Sequence, residues 1–358
     1  MKKPYALKIL LILLPFIALT SCGEDEDYKR VSPVQLDLNA VPYPKLSDYK
    51  FFEGEMKNQD PAYKVLPYDL NSALFTDYAH KKRFIWMPEG VNATYISDSE
   101  TLNFPVGTVL IKTFYYDNVQ PSNTTRIIET RLLIKKGDAW IFANYIWNDD
   151  QTEAVLNTDG SYTNVSWTEN GITKSADYRI PSQSECLTCH KTNDSPVPIG
   201  PKPQNLNKNF SYPEGQQDQL SRWVEEGYLD DKPNGVVSTV DWTDTSKPLD
   251  LRVRSYIDIN CAHCHKENSH CDYMSMRFAF SETGSPENLG ICVPPQDNIN
   301  PSLSYIVAKR NTLRSALAYR IKSVNPNERM PLLGRSIVHE EAVAMITEWI
   351  NSMDSPCP

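Results

Sequence analysis

Two stretches in the second half of this chain share one pattern: Cys186-Leu-Thr-Cys-His190 and Cys261-Ala-His-Cys-His265. Each stretch puts two cysteines three positions apart and a histidine directly after the second cysteine. This C-x-x-C-H pattern is the sequence signature of c-type haem attachment. Two thiols on one helical turn can each form a thioether with one haem vinyl group, and the adjacent histidine then binds the iron. We therefore expect the chain to fold around two covalently bound haem c groups.

The pattern assigns a role to each cysteine and to the histidine that follows. The expected thioether bonds come from four residues: Cys186, Cys189, Cys261 and Cys264. His190 and His265 are the expected proximal iron ligands. Paired C-x-x-C motifs also occur in zinc sites, and single ones in thioredoxin-like redox centres. A zinc site does not need a histidine after both cysteine pairs, so haem explains more of the pattern.

The first 22 residues are similar to an export signal with a lipidation site. Lys2 and Lys3 precede an apolar run of about 11 residues, which is too short for a bilayer span of ~20. The run ends in Leu19-Thr-Ser-Cys22, which is typical of a bacterial lipobox; an ordinary cleavage site beside an unrelated cysteine is the alternative. We expect residues 1–22 to be a signal peptide, and a lipid on Cys22 to anchor the chain to a membrane. Residues 23–48 are the expected acidic tether. The run Gly23-Glu-Asp-Glu-Asp27 resembles the surface-export signal of some outer-membrane lipoproteins, so we expect the chain in the cell envelope at the outer membrane, on its periplasmic face or at the cell surface.

Residues 49–178 predict a β-rich domain whose role stays open. Residues 108–116 are rich in β-branched and aromatic side chains. Lys136-Gly-Asp138 separates two further β-rich runs and predicts a hairpin. Asn170-Gly171 separates two more, and both residues tolerate the positive φ of a type I′ hairpin turn. Strands at this spacing predict a sandwich of two sheets.

The remainder of the chain predicts helices. Residues 179–245 are the expected first haem module, and residues 246–358 are the expected second, cytochrome c-like haem domain. One helix should lead into Cys261. A closing amphipathic helix is predicted by the spacing of Ala342, Met345, Ile346, Trp349 and Ile350. The predicted fold class is multi-domain α+β: an N-terminal β-sandwich-like domain followed by mainly α-helical, cytochrome c-like haem modules.

A six-coordinate haem iron needs a distal ligand opposite its histidine. Met330 lies in a loop before the closing helix, and Pro331 holds this loop extended, so we expect Met330 to bind the iron held by His265. Packing of Met330 in the core is the alternative. The distal ligand of the first haem must come from elsewhere, and the candidates are His80, Met87, Met274, Met276 and His339. Without such a ligand the first iron is five-coordinate and open to small molecules.

Three cysteines remain: Cys271, Cys292 and Cys357. Exported proteins form disulfides. Cys271 and Cys292 bracket the loop after the second motif, so we expect these two to pair. Cys357 lies beside the C-terminal residue, where we expect a free thiol.

Several shorter motifs occur in an order that resembles a sparsely characterised family of bacterial di-haem c-type cytochromes with an N-terminal β domain. These motifs are Leu74-Phe-Thr-Asp-Tyr-Ala79, Phe104-Pro-Val-Gly-Thr108, Glu129-Thr-Arg-Leu-Leu133, Tyr145-Ile-Trp-Asn-Asp-Asp-Gln151 and Arg329-Met-Pro-Leu-Leu-Gly-Arg335. The resemblance covers about residues 60–352. It implies haem binding and electron transfer, and it implies no substrate.

Three functions stay open. The first is a non-catalytic electron carrier with two six-coordinate irons, which Met330 favours. The second is a haem enzyme, such as a di-haem peroxidase-like protein with one open iron. The third is a lipoprotein whose β domain binds a glycan or a partner protein, with accessory haems. The formal net charge of −9 repels a phosphate backbone, so we expect no nucleic acid partner. The sequence does not identify the redox partner protein.

Overall fold

An antiparallel sheet of eight strands is the largest element of this structure, a computed structural model that describes residues 30–297 and 299–358. The predicted signal peptide and Cys22 lie outside the described residues. The strands are β1 (Phe52–Glu53), β2 (Asp60–Pro61), β3 (Leu66–Tyr68), β4 (His80–Trp86), β5 (Val109–Val119), β6 (Thr124–Lys136), β7 (Ala139–Trp147), β8 (Ala154–Asn157), β9 (Ser161–Glu169), β10 (Ile172–Ile180), β11 (Lys191–Thr192), β12 (Ser195–Pro196), β13 (Asn209–Tyr212) and β14 (Gly215–Asp218).

The helices of the described residues are short. They are α1 (Gln183–Cys189), α2 (Pro203–Leu206), α3 (Gln219–Glu225), α4 (Leu249–Ile257), α5 (Ala316–Lys322) and α6 (Glu340–Ser352). Turns of 3-10 helix cover Leu46–Tyr49, Met56–Asn58 and Thr312–Arg314, and a π-helical turn covers Asp258–Ala262. Within the part of the chain that the structure describes, no helix is long and apolar enough to cross a membrane.

The predicted fold class is wrong in its second half. Strand accounts for 27% of the structure and helix for only 19%, so the haem motifs do not lie in mainly α-helical modules. Among the described helices, only α4 and α6 extend over more than two turns. Between them, Asn, Ser, Gly and Pro interrupt the apolar pattern, and residues 266–297 and 299–311 form turns and irregular backbone.

The large sheet is continuous rather than split into the two layers of a sandwich. Its strands follow the order β10-β9-β5-β6-β7-β8, while β4 pairs with β5 and β3 pairs with β4. Both predicted hairpins are present. Asn170 and Gly171 have φ angles of 50° and 77°, the left-handed backbone that a type I′ turn requires. Lys136 pairs directly with Ala139 across the other turn.

Different parts of the chain cover the two faces of this sheet. One face packs against the N-terminal segment, where Val41 and Leu46 are buried. The prediction of a tether up to residue 48 is therefore wrong for this part, since these apolar side chains belong to the core. The opposite face packs against Leu206, Leu220 and Trp223. The segment that carries the first motif thus shares its core with the sheet.

Helices α4, α5 and α6 surround a third core, and the predicted closing helix is confirmed as α6. The predicted disulfide is wrong, because Cys292 pairs with Cys357 rather than with Cys271. The backbone explains the choice: the Cys292 amide donates to the Val307 carbonyl over 2.9 Å, and the chain end folds back beside the same segment. Cys271 is a buried free thiol.

Candidate functional site

The first motif lies on α1, a short helix that is fixed at its start. The Ser182 hydroxyl accepts from the Glu185 amide over 3.3 Å, and the Glu185 carboxylate accepts from the Ser182 amide over 2.7 Å. This reciprocal pair is a capping box, which satisfies two amides at the helix start. At the other end, the His190 amide donates to the Cys186 carbonyl over 2.9 Å. One helical turn therefore presents both cysteines and the histidine together.

The ring of His190 is oriented for a ligand. Its Nδ1 lies 2.9 Å from the Val197 carbonyl oxygen, which places the proton on Nδ1 and leaves the lone pair on Nε2. The ring also packs beside Phe142, with a centroid distance of 5.1 Å. Burial lowers the pKa of His190 to about 4, so the imidazole is neutral at pH 7. A neutral imidazole is the form that binds metal ions.

A cavity of about 1230 Å³, including space open to solvent, lies between this motif and the sheet. We call it the sheet-side cavity. Cys186, Cys189 and His190 line one side, and the sheet residues that line the other include Lys112, Phe114, Arg131, Leu133, Phe142 and Asn144.

The second motif begins in the π-helical turn that continues α4. The amides of Cys264 and His265 both donate to the Cys261 carbonyl, over 3.1 and 3.0 Å. The predicted helix leading into Cys261 is thus confirmed. His265 is 8% exposed, and its buried Nδ1 has no hydrogen-bond partner among the described residues. Burial lowers the pKa of His265 to about 4, so this ring is also neutral at pH 7.

A second cavity, of about 1210 Å³ including open space, lies beside this motif, and we call it the C-terminal cavity. Cys261, Cys264 and His265 line it, together with three methionines: Met274, Met276 and Met330. Its other walls are mainly apolar and include Phe278, Ile306, Leu317, Ala342 and Val343. Met330 and His265 therefore line the same cavity, although the sequence interval between them is long.

Arg335 holds the loop that carries Met330. Its guanidinium donates to four backbone carbonyls: those of Arg320, Ser323, Met330 and Ile337, over 2.8 to 3.2 Å. Arg335 is 3% exposed and lines both cavities. A single buried side chain thus satisfies the carbonyls of a loop that has no regular structure of its own.

The loop Leu74–Ala79 fastens the sheet to the C-terminal region. The Asp77 carboxylate accepts from the Ser336 amide, over 2.7 Å, and from the Ile337 amide, over 3.1 Å. The Tyr78 hydroxyl donates to Glu341 over 2.7 Å. This loop is one of the motifs that carry the family resemblance, and its contacts give it a structural role.

The two cavities meet at the second cysteine of each motif. The Sγ atoms of Cys189 and Cys264 and a ring nitrogen of His263 lie within 4.8 Å of one another. A hydrogen bond between the two thiols lowers the pKa of Cys189 and raises that of Cys264. Both cavities are lined by Cys189, Asn260, His263, Pro331, Leu333 and Arg335. In the described residues, the metal-ligating groups that converge here number three, one fewer than a structural zinc site uses.

The five distal candidates for the first haem lie away from the sheet-side cavity. Met274, Met276 and His339 line the C-terminal cavity. Met87 is buried in the core on one face of the sheet. His80 is half exposed, 3.9 Å from Asp117. The His339 ring stacks on Phe75 at 4.0 Å, and its Nδ1 lies 3.1 Å from the Tyr256 hydroxyl, so its contacts are those of a packing residue.

Sequence reasoning missed the charged groups of the sheet-side cavity, Lys112 and Arg131. A signal was available for Lys112, which interrupts the otherwise apolar run of residues 109–114. By strand alternation it shares a face with Leu110 and Phe114. Sequence alone does not reveal what that face adjoins, because the first motif lies more than 70 residues away.

Comparison with protein-family models, with curated proteins and with solved structures found no match. The resemblance to di-haem cytochromes therefore stays a prediction, and the case for a function depends on the residues themselves.

Proposed function

We propose that this chain binds two haem c groups covalently and transfers electrons through them. The observation that carries the proposal is the placement of two C-x-x-C-H motifs, each on a cavity of its own, with Cys189 and Cys264 within 4.8 Å where the cavities meet. The free Nε2 of His190 also suits the group that the motif predicts.

The chain's own residues have separate tasks in this proposal. Haem iron supplies reversible one-electron chemistry when bound. The four motif cysteines would hold the macrocycles, and His190 and His265 would each supply a nitrogen ligand to an iron. The apolar walls of the C-terminal cavity exclude water, and Met330 offers a thioether that favours reduced iron. The closeness of Cys189 and Cys264 supports transfer between the two groups, since it brings their attachment points together.

A haem enzyme with one open iron is the second candidate function. Among the described residues, no methionine lines the sheet-side cavity, and the histidines there are His190 and His263, of which His263 also lines the other cavity. An iron without a distal side chain binds small ligands and reacts with peroxide. Electron transfer is preferred even with an open first iron, because Met274, Met276 and Met330 in the C-terminal cavity could supply the second iron with a soft donor.

The test counts haems in protein that was exported through a haem-attaching pathway. Acid–acetone extraction should leave the haem on the polypeptide, and a pyridine haemochrome assay should give two haems per chain. The double variants Cys186→Ala/Cys189→Ala and Cys261→Ala/Cys264→Ala should each retain one, and the control Cys271→Ala should retain two. Bound zinc with no haem would refute the proposal and favour a metal site at Cys189, His263 and Cys264.

We also propose a lipid anchor on Cys22, with the chain held at the cell envelope. Its support is the lipobox-like Leu19-Thr-Ser-Cys22. Cys22→Ser should move the protein from the membrane fraction to the soluble fraction. Continued membrane association of that variant would contradict the anchor.

A further inference from the structure

A row of cations crosses the sheet beside the sheet-side cavity. Arg83 on β4 pairs in register with Lys112 on β5, and Lys112 pairs with Arg131 on β6. The three side chains therefore share one face and are direct neighbours. Like charges at directly opposed positions destabilise a sheet. We call these three residues the cation row.

The carboxylates in contact with the row are fewer than its cations. Arg131 Nε donates to Glu129 over 3.0 Å, and Arg83 Nη1 donates to Asp69 over 2.6 Å. The side-chain amine of Lys112 makes no hydrogen bond or ion pair with any residue that the structure describes. Arg83 keeps its second amine, Nη2, buried without a partner. Two carboxylates thus serve three cations, and the central cation has none.

Phe114, next to the row, cannot supply the missing charge. Its ring centroid lies 5.9 Å from Lys81 Nζ, 5.0 Å from Lys112 Nζ and 4.4 Å from the Arg131 guanidinium carbon. Lys81 donates to the Ala79 carbonyl over 2.7 Å, and burial lowers its pKa to about 7, so it brings no carboxylate to the row. An aromatic ring attracts cations but leaves their charge in place.

Lys112 and Arg131 are partly buried, and a partly buried charge is stabilised by a counter-charge, so this arrangement favours a bound anion. Lys112 and Arg131 line the same cavity as Cys186 and His190. Burial, followed by the charges of Arg83, Lys81 and Arg131, lowers the pKa of Lys112, and an adjacent anion would oppose that shift. Glu185, the acidic residue that lines this cavity, is already paired with Arg179 over 2.7 Å.

We propose that Lys112, supported by Arg131, binds a carboxylate in the sheet-side cavity, and that this carboxylate is a propionate of the first haem. The inference rests on the proposed function, because it requires a haem on Cys186 and Cys189. Haem carries two propionates, and a cation row matches their charge. A free carboxylate anion offers the same chemistry from a second source, and the experiment separates the two.

The test compares Lys112→Met with Lys112→Arg and with a control, Lys82→Met. Lys82 is an exposed residue of the same strand pair and donates to the Asn58 carbonyl. All variants are made as holoprotein, and their haems are counted first. If wild-type protein holds no haem, the proposed function has failed, and the count shows this before any effect of Lys112 is measured.

The readouts are the two midpoint potentials and the visible spectra. Lys112→Met should shift the potential of one haem to more negative values, because a nearby cation disfavours ferric iron. Lys112→Arg should restore it, and Lys82→Met should leave both potentials unchanged. The spin state should not change in any variant. A first haem that is low spin in wild-type protein and becomes high spin in Lys112→Met would overturn the proposal, because Lys112 would then be a ligand of the iron.

Two further outcomes would overturn it. Unchanged potentials in Lys112→Met would mean that Lys112 contacts no haem carboxylate. A saturable response of wild-type protein to added acetate, abolished in Lys112→Met, would mean that the anion is a free carboxylate. If the carboxylate is a propionate of the bound haem, wild-type protein should not respond to acetate at concentrations that leave the Lys82→Met control unchanged.

Discussion

The two cavities carry the same five-residue motif but have walls of different kinds. The sheet-side cavity is closed by regular strands and contains Lys112 and Arg131. The C-terminal cavity is closed by short helices and loops and contains three methionines in mainly apolar surroundings. On the proposed function, a C-x-x-C-H motif specifies the attachment of the haem and one iron ligand. The surrounding fold determines which side chains lie on the distal side of the iron.

The largest expected effect concerns the distal face of each iron. Reduced wild-type protein should bind one carbon monoxide per chain, at the first haem, and Met330→Ala should bind two. The variant should lose the weak far-red band from sulfur to ferric iron, and the potential of that haem should fall, because a thioether stabilises ferrous iron. Stability should fall by only ~1–3 kcal/mol, since covalent attachment remains.

The matched control for that variant is Met276→Ala, in the same cavity. It should keep the far-red band and bind one carbon monoxide. Loss of the band in Met276→Ala and not in Met330→Ala would identify Met276 as the ligand and Met330 as a packing residue. The two cavities would still differ in the groups on the distal side of the iron, but the ligand in the C-terminal cavity would be Met276.

The next prediction tests whether the disulfide stabilises the region around the C-terminal cavity more than the region around the sheet-side cavity. Cys292 and Cys357 are 65 residues apart, and removing a disulfide commonly costs about 2–5 kcal/mol. Cys357→Ser should lower the free energy of unfolding by that amount in urea titrations. Because the bridge lies in the C-terminal region, urea should weaken the far-red band of the second haem in this variant before it changes the spectrum of the first haem. Cys271→Ser is the control for losing a thiol without a bridge, and an equal loss in both variants would argue against the bridge.

A smaller effect tests the link between the cavities. Asp77→Ala removes the acceptor of the Ser336 and Ile337 amides, so two partly buried donors lose their partner. We expect a loss of ~1–3 kcal/mol in unfolding free energy. The control is Asp149→Ala, whose exposed carboxylate pairs only with Arg126 and should matter little. Equal effects of the two variants would show that the loop does not fasten the two regions.

The smallest effect tests the capped start of α1. Burial raises the pKa of Glu185, but hydrogen bonds from Ser182 and Arg179 outweigh it and hold the pKa below its usual value of 4.5. A carboxylate with a lowered pKa stabilises the fold above its unfolded pKa, and this stability is lost as the pH falls through the folded value. Glu185→Gln should cost ~1 kcal/mol at pH 7 and progressively less below pH 4.5.

Unfolding titrations of wild-type protein and of Glu185→Gln at pH 7 and near pH 3 measure this difference. Glu169→Gln, which removes a carboxylate from a strand end paired with Lys174, is the control. A difference that stays constant with pH would mean that the charge of Glu185 does not stabilise the helix start.

Local sequence signals predicted local structure well. Asn170-Gly171 marks a real hairpin because only a few residues tolerate its backbone angles. The spacing of Ala342, Met345 and Ile346 predicts α6 because one face of a helix must be buried. Both signals act within a few residues, where backbone geometry and side-chain spacing are sufficient.

Relations over long distances were not predictable in the same way. Cys292 pairs with Cys357 rather than Cys271 because the chain end folds back beside Val307, which no local pattern indicates. The expectation of helical modules overlooked that a sheet can form the wall of the first cavity. Lys112 was missed for this reason, since Cys186, which lines the same cavity, is distant from it in sequence.

The meeting of Cys189 and Cys264 has a consequence for how the protein matures. Cys186 is buried in the folded chain, and Cys189 lies between the two cavities. On the proposed function, an attachment enzyme that must reach the Cys186 thiol can do so only before the sheet closes over it. A chain that folds early without its first haem therefore has no later route to acquire it.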